Sequence, residues 1–313
     1  MQAAYIEQYG KEDNLTLGRQ PIPEILDNQV LIKVHASAVN PVDWMVRNGV
    51  FKEHNVHTLP LILGWDAAGE IAQIGSAVTH FALGQAVYAY TSIVKQGAYA
   101  QYIAVDADLV ASKPRTLNFE QSAAVPLAAT TAWQALTKAG ELNAGDKILI
   151  HNASGGVGMF AVQIAKALGA YVIGTASKAS EPFVQSLGVD EFIDYQQHDF
   201  TEKVSELDFV LVAVGGDNIV ERSLNVVKKE GYLISLLDKI SDSLAKSHQV
   251  NYHRLWVTPD RDDLNAIAKL IDSGDVKVII DSSYPLSDIK LAHQRSQSKR
   301  AKGKIVVRIP HDK

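Results

Sequence analysis

The chain has no cysteine among its 313 residues. Disulfides and thiolate-ligated zinc are both excluded. It has no apolar run near the ~20 residues that a membrane helix requires. The opening residues, MQAAYIEQYG, lack the charged start and apolar core of a signal peptide. A soluble cytoplasmic protein, with no membrane partner, is the expectation. Basic runs are also scarce. The formal net charge is −5, and the densest basic patch, SKRAKGK at 298–304, reads as solvated surface. No nucleic-acid partner is expected. Internal repeats and low-complexity segments are absent. The composition is that of an ordinary globular protein, with 47% hydrophobic and 21% charged residues. The length suits about two domains of ~150 residues each.

The texture changes once along the chain. Residues 1 to about 110 carry short strand-like runs, VLIKVHASAVN (30–40), AAGEIAQIG (67–75) and AVYAY (86–90), set off by Gly, Pro and Asn. FEQSAAVPLAATTAWQAL (119–136) reads as helical. Beyond it, strands at 147–151, 171–175, 191–193, 208–214 and 231–236 alternate with helices near 156–168, 179–187 and 217–228. That alternation implies a parallel sheet with right-handed crossovers. An amphipathic helix follows at 262–274, and the tail GKIVVRI (303–309) ends on a strand.

The stretch ILIHNASGGVGMFAVQIAKALGA (148–170) joins a buried strand to a helix through glycines. The dinucleotide pattern G-x-G-x-x-G fits with Ala153, Gly155 and Gly158 at its three glycine positions, Ala153 being the one departure. Gly155 lets backbone approach a pyrophosphate, and Gly158 lets the helix pack closely on the strand. The loop Ala153, Ser154, Gly155, Gly156, Val157 and Gly158 is thus the expected phosphate cradle, at a helix N-terminus that favours anions. An ordinary glycine turn in a βαβ unit is the plainer alternative. Sites for NAD place an acid about 20 residues further on, where it binds the ribose. Here the second strand, YVIGT, is followed by Ala176, Ser177 and Lys178, and no acid appears before Glu181. A hydroxyl and an ammonium would attract a 2′-phosphate, which points to NADPH rather than NADH.

Several segments coincide: AVNPVDWMVRNG (38–49), LPLILGWDAAGEIAQIG (59–75), GAYAQY (97–102), AAVPLAATTAWQAL (123–136), NASGGVGMFAVQIAKALGA (152–170) and GKIVV (303–307). Together they resemble the zinc-independent, quinone oxidoreductase-like branch of the medium-chain dehydrogenase/reductase superfamily, from residue 1 to about 309. The resemblance implies an α/β protein. A GroES-like β-rich catalytic domain over 1–120, completed by 265–313, would flank a Rossmann domain over 121–264, a doubly wound parallel sheet that binds NADP(H). The active site would lie in the cleft between them. Relatives often pair as homodimers through Rossmann edge strands, here QVNYHRLWV (249–257).

Zinc-dependent relatives carry a cysteine ligand where Asn40 stands and a histidine ligand where Trp65 stands, so no metal is expected. His54 and His57 are the one tempting local pair, without a carboxylate cluster beyond Glu53. Lacking a Lewis acid, such a site needs an acceptor that is already electrophilic, a quinone or an α,β-unsaturated carbonyl. The resemblance places Asn40 near nicotinamide and substrate, as a donor to the developing oxyanion. A turn residue before Pro41 is its plainer reading. Asp43 either orients Asn40 or a cofactor hydroxyl, or caps the helix implied by WMVRNG. Arg47 pairs with an acid or faces solvent. Trp44, Phe51 and Trp65 shape an apolar acceptor pocket or pack the core. Phe51 stands where relatives often have tyrosine, which leaves no phenol proton donor there. Thr131 would face the cofactor and Tyr195 would hold the 2′-phosphate, while the backbones of Gly215 and Leu236 line the cleft. A dedicated enoyl or alkenal reductase, and a catalytically lapsed NADPH-binding protein, are the rival readings.

Overall fold

The computed structural model describes residues 1–311. The chain divides into two compact units. The first comprises Met1–Thr130, Thr258–Asp272 and the chain from Val278 onward, and the second comprises Thr131–Val257 and Ser273–Lys277.

The first stretch of chain forms β1 (Gln2–Ile6), β2 (Leu15–Arg19), β3 (Gln29–Val39), α1 (Pro41–Arg47), β4 (Leu61–Ile62), β5 (Asp66–Ile74) and β6 (Ala86–Tyr90). Next come β7 (Tyr102–Asp106), β8 (Val110–Ser112), α2 (Phe119–Ala123) and α3 (Pro126–Gln134). The helix expected at 119–136 is thus broken before Pro126. Proline lacks the N–H that a continuous helix needs and pushes the preceding residue away from helical backbone.

The second unit contains β9 (Lys147–His151), α4 (Gly156–Ala167), β10 (Tyr171–Ala176), α5 (Glu181–Ser186), β11 (Glu191–Asp194) and β12 (Leu207–Val212). It continues through α6 (Ile219–Ser223), β13 (Val227–Ser235), α7 (Asp242–Ser247) and β14 (Asn251–Arg254). The tail adds α8 (Arg261–Ser273), β15 (Ile280–Pro285), α9 (Ile289–Gln297) and β16 (Lys304–Arg308).

In the first unit, β3 organises a seven-stranded sheet, ordered β15-β16-β3-β5-β6-β8 with β7 also paired to β3. Nine of its eleven residues are buried, which suits the β-branched and small side chains of QVLIKVHASAV. A separate three-stranded sheet runs β2-β1-β4. This is the GroES-like architecture.

The sheet of the second unit is parallel throughout, ordered β11-β10-β9-β12-β13-β14. That is the doubly wound Rossmann order, whose switch point lies between β9 and β12. Its central strands β9, β10 and β12 are near-continuous hydrophobic runs because a doubly covered sheet buries both faces. Leu149, Val210, Val212 and Leu233 are all fully buried in its core. The helix expected at 217–228 contracts to Ile219–Ser223. Leu224, Val226 and Val227 instead turn into the core, and Val227 pairs with Leu207 to open β13. Among the described residues, no helix is long and apolar enough to cross a membrane.

Candidate active site

The end of β3 gathers buried charge. β16 runs antiparallel to β3 with Ile305 opposite Val39, so Lys304 comes level with Asn40. On the other side of β3, β5 begins at Asp66, opposite Ala38. Asn40 Nδ2 donates to Asp66 Oδ2 at 2.8 Å, and Lys304 Nζ donates to Asn40 Oδ1. Lys304 Nζ also lies 3.5 Å from Asp66 Oδ2, a buried ion pair. The remaining Asp66 oxygen accepts the Leu127 N–H at 2.7 Å, tying in the first turn of α3. Burial raises the Asp66 carboxyl above its ordinary range, against the pull of Lys304 and the Asn40 and Leu127 donors.

Asp43 does one of the things expected of it, the capping of α1, and adds a contact to Tyr99. Its Oδ2 accepts the Asn40 backbone N–H at 2.7 Å, which caps α1, and the Tyr99 hydroxyl at 2.8 Å. It touches the Asn40 backbone, not the amide. Its Oδ1 is buried without a hydrogen-bond partner. Burial pushes the Asp43 carboxyl up to about 7, opposed by those two donors.

The pocket residues separate. Trp44 is half-buried and its indole donates to Ser296 Oγ at 3.2 Å. Phe51 is half-buried in an otherwise exposed loop. Trp65 is 0% exposed and donates to Lys95 O at 3.1 Å, so it packs the core rather than offering a surface. Arg47 does not face solvent. It is wholly buried, bonded to Gly10 O and His293 Nδ1, with Glu12 at 3.8 Å. His57 Nε2 lies 2.8 Å from Ile93 O and His54 is exposed. Among the described residues, no group of three His, Asp or Glu side chains could hold a metal ion.

In the second unit the glycine loop follows β9. The left-handed residue of the tight turn is Asn152, at φ 58°, not Ala153. Asparagine tolerates this backbone, so the turn forms without a glycine at that point. Asn152 Nδ2 also donates to Ala213 O at 3.1 Å, binding the turn to the end of β12. A Cβ on Gly158 would sit 2.1 Å from Asn152 O, and one on Gly155 would sit 2.6 Å from Asn152 Nδ2. The turn's backbone therefore requires Gly158, whereas a side chain at 155 would have to displace the Asn152 amide. Ser154, Gly155, Gly156 and Val157 are half-exposed, and no side chain caps the N-terminus of the 12-residue α4. Beneath the loop, burial lowers His151 to about 3, so a neutral ring sits between Thr175 Oγ1 (3.2 Å) and Ser223 Oγ (3.3 Å).

Ser177 and Lys178 follow β10, and Tyr195 follows β11. The Tyr195 N–H donates to Ala176 O at 3.3 Å, so the three residues lie at one end of neighbouring strands. Tyr195 is 60% exposed. Lys178 is paired with Glu181 at 2.6 Å, a contact that the sequence reading passed over. Thr131 is buried. Gly215 and Leu236 follow β12 and β13 and are half-exposed. Beside them, Gly216, Asn218, Asp238 and Arg254 line an open depression of about 580 Å³.

Sequence reasoning passed over Asp66, Lys304 and Tyr99, although GWDAAG, GKIVV and GAYAQY were all in view. The signal was a charge at the first residue of each of two strands, Asp66 of β5 and Lys304 of β16, of opposite sign.

Two family profiles match this chain. That of the alcohol dehydrogenase GroES-like domain covers residues 26–115, and that of the zinc-binding dehydrogenase covers residues 187–307. The chain is 36% identical over 318 residues to the chloroplastic NADPH-dependent alkenal/one oxidoreductase of Arabidopsis thaliana, spanning 98% of this chain and 79% of that protein. It is 32% identical over 355 residues to the mitochondrial NAD(P)H oxidoreductase RTN4IP1 of Mus musculus, spanning 99% and 89%. The structure of the quinone oxidoreductase from Coxiella burnetii superposes with a TM-score of 0.92 at 33% identity, over 99% of each chain.

Proposed function

The chain belongs to the medium-chain dehydrogenase/reductase family, in its quinone oxidoreductase-like branch, and from that premise we propose that it is an NADPH-dependent reductase of quinones or α,β-unsaturated carbonyls. The observation that carries the cofactor is the β9–α4 turn. Its two close-approach glycines and uncapped helix N-terminus form a cradle suited to a pyrophosphate. Ala153 to Gly158 would hold that group. Ser177, Lys178 and Tyr195 would hold a 2′-phosphate, and Thr131, Gly215 and Leu236 would flank the rest of the cofactor. Bound NADPH supplies the hydride, from nicotinamide C4. In this reading the first unit is catalytic and the second binds the cofactor.

Asn40 is the candidate catalytic residue. One Nδ2 hydrogen goes to Asp66, which leaves the second for an acceptor oxygen as negative charge develops on it. Asp43 holds the backbone that carries Asn40. Trp44 and Phe51 border the acceptor, and Trp65 backs the site from within the core. Water delivers the final proton.

The test is consumption of NADPH with a simple quinone and a simple enone in parallel, and NADH as control. Turnover of either acceptor supports the reading. Tight NADPH binding without turnover would leave only a nucleotide-binding protein. Enone turnover alone would favour the alkenal reductases, the activity named for the Arabidopsis relative. Asn40→Ala should lower kcat by roughly 10²-fold, the scale of one oxyanion donor, with a smaller change in NADPH affinity. Equal turnover would remove Asn40 from the mechanism.

Two further parts belong to this reading. The chain forms a homodimer through β14, the last strand of the parallel sheet. It works in the cytoplasm, which cell fractionation tests directly, because the named relatives include mitochondrial and chloroplastic proteins.

A further inference from the structure

The two faces of the Asn40 amide meet partners of opposite and fixed character. A carboxylate only accepts hydrogen bonds, and an ammonium only donates them. Asp66 takes the Nδ2 side and Lys304 takes the Oδ1 side. An amide turned by half a revolution would set oxygen against carboxylate and nitrogen against ammonium. With Asn40 2%, Asp66 0% and Lys304 3% exposed, water cannot relieve that mismatch. The two charges also lie 3.5 Å apart and balance each other, so they add orientation rather than net charge. They come from β5 and β16, the two strands that flank the C-terminal end of β3, so the sheet itself sets their spacing.

We infer that Asp66 and Lys304 are positioning residues for hydride transfer. They act through Asn40, by holding its amide in the one orientation that frees an N–H for the acceptor oxygen. This rests on the role proposed for Asn40 above. A buried ion pair alone is weak evidence for stability. The inference stands instead on the geometry, in which donor-only and acceptor-only groups bracket one amide.

The test is steady-state kinetics on the full chain, with NADPH and whichever acceptor it turns over. Lys304→Met should lower kcat by roughly tenfold or more while the KM for NADPH stays near its starting value. Lys304→Arg, which still only donates, should restore most of the rate. In an Asn40→Ala background, Lys304→Met should cost nothing further. Losses that multiply in the double variant would show Lys304 acting independently of Asn40, and would overturn the inference. Lys304→Met leaves Asp66 buried and unpaired. Should it fail to fold, Asp66→Asn carries the same test, since an amide in that place pairs with either orientation of Asn40. Its kcat should fall, and that loss too should vanish beside Asn40→Ala. An unchanged kcat in Asp66→Asn would sink the proposal. Full turnover by Asn40→Ala alone would instead remove the role of Asn40 itself, a separate failure visible without any change at Asp66 or Lys304.

Discussion

Asp43 offers one oxygen two donors and the other none. Burial makes its charged form costly and raises its carboxyl from the ordinary 3.8 to about 7. Between those values the folded chain binds a proton that the unfolded chain has released. Stability therefore falls as pH rises through this window, and the contribution is lost above about 7. Asp43→Asn keeps the shape and an oxygen for Asn40 N–H and Tyr99, and removes the titration. Urea midpoints at pH 5 and pH 8 should show the parent losing on the order of 2 kcal/mol relative to the variant between those pH values. Parallel pH profiles for the two proteins would mean that Asp43 is charged throughout. His293, lowered from 6.5 to about 3 by burial and the adjacent Arg47, gives a slope of opposite sign below 6.5, which parent and variant share and which cancels in the comparison.

Elements, rather than single residues, make the proposed phosphate cradle. β9 and α4 can approach each other only because position 158 has no side chain. Gly158→Ala would press a methyl against Asn152 O, which is backbone and cannot rotate away. The variant should lose about 1–3 kcal/mol of stability, the usual range for overpacking, and bind NADPH more weakly. Thermal unfolding and a fluorescence titration would measure both, and an unchanged pair would show that the turn has slack. At the end of β10, Glu181 pairs with Lys178, the lysine proposed above for a 2′-phosphate. Hydrogen bonding and attraction from Glu181 raise Lys178, so the ammonium is present at neutral pH and the pair must open or be shared. Glu181→Gln should lower the KM for NADPH and leave that for NADH nearly unaltered. Equal shifts for both would place the 2′-phosphate elsewhere.

This local unit was legible because its signals are local. A strand run, a glycine turn and a helical period follow one another within 148–170, and Gly169 ends the segment at φ 86°. Misjudged elements were those whose fate depends on distant neighbours. The short α6 yields to β13 because Val227 finds Leu207. The Asn40 bracket is harder still. Asp66 and Lys304 are 238 residues apart, and only the antiparallel pairing of both flanking strands with β3 makes them neighbours. No window of sequence contains that pairing.

At the scale of the whole molecule, β14 closes the six-stranded sheet on one side, and its outer edge is a row of backbone groups. Leu255 N–H donates inward to Ser235 O at 2.8 Å. Successive residues of a strand point alternately, so the N–H groups of Tyr252 and Arg254 face outward. A second copy related by a two-fold axis would meet the same groups running in the opposite direction, a self-complementary antiparallel pairing. Trp256, 51% exposed, stands just beyond. Arg254→Pro removes one outward donor from each copy, roughly 1 kcal/mol per bond and counted twice across the axis, and adds a steric block. Sedimentation should find the parent at twice the chain mass and Arg254→Pro shifted towards the monomer. Arg254→Ala separates backbone from side chain, since it loses only the Nε bond to Leu237 O and keeps the N–H. It should remain dimeric. A parent that sediments as one chain at every concentration would remove the edge from this reading, whereas a dimer that both variants preserve would move the interface to another face.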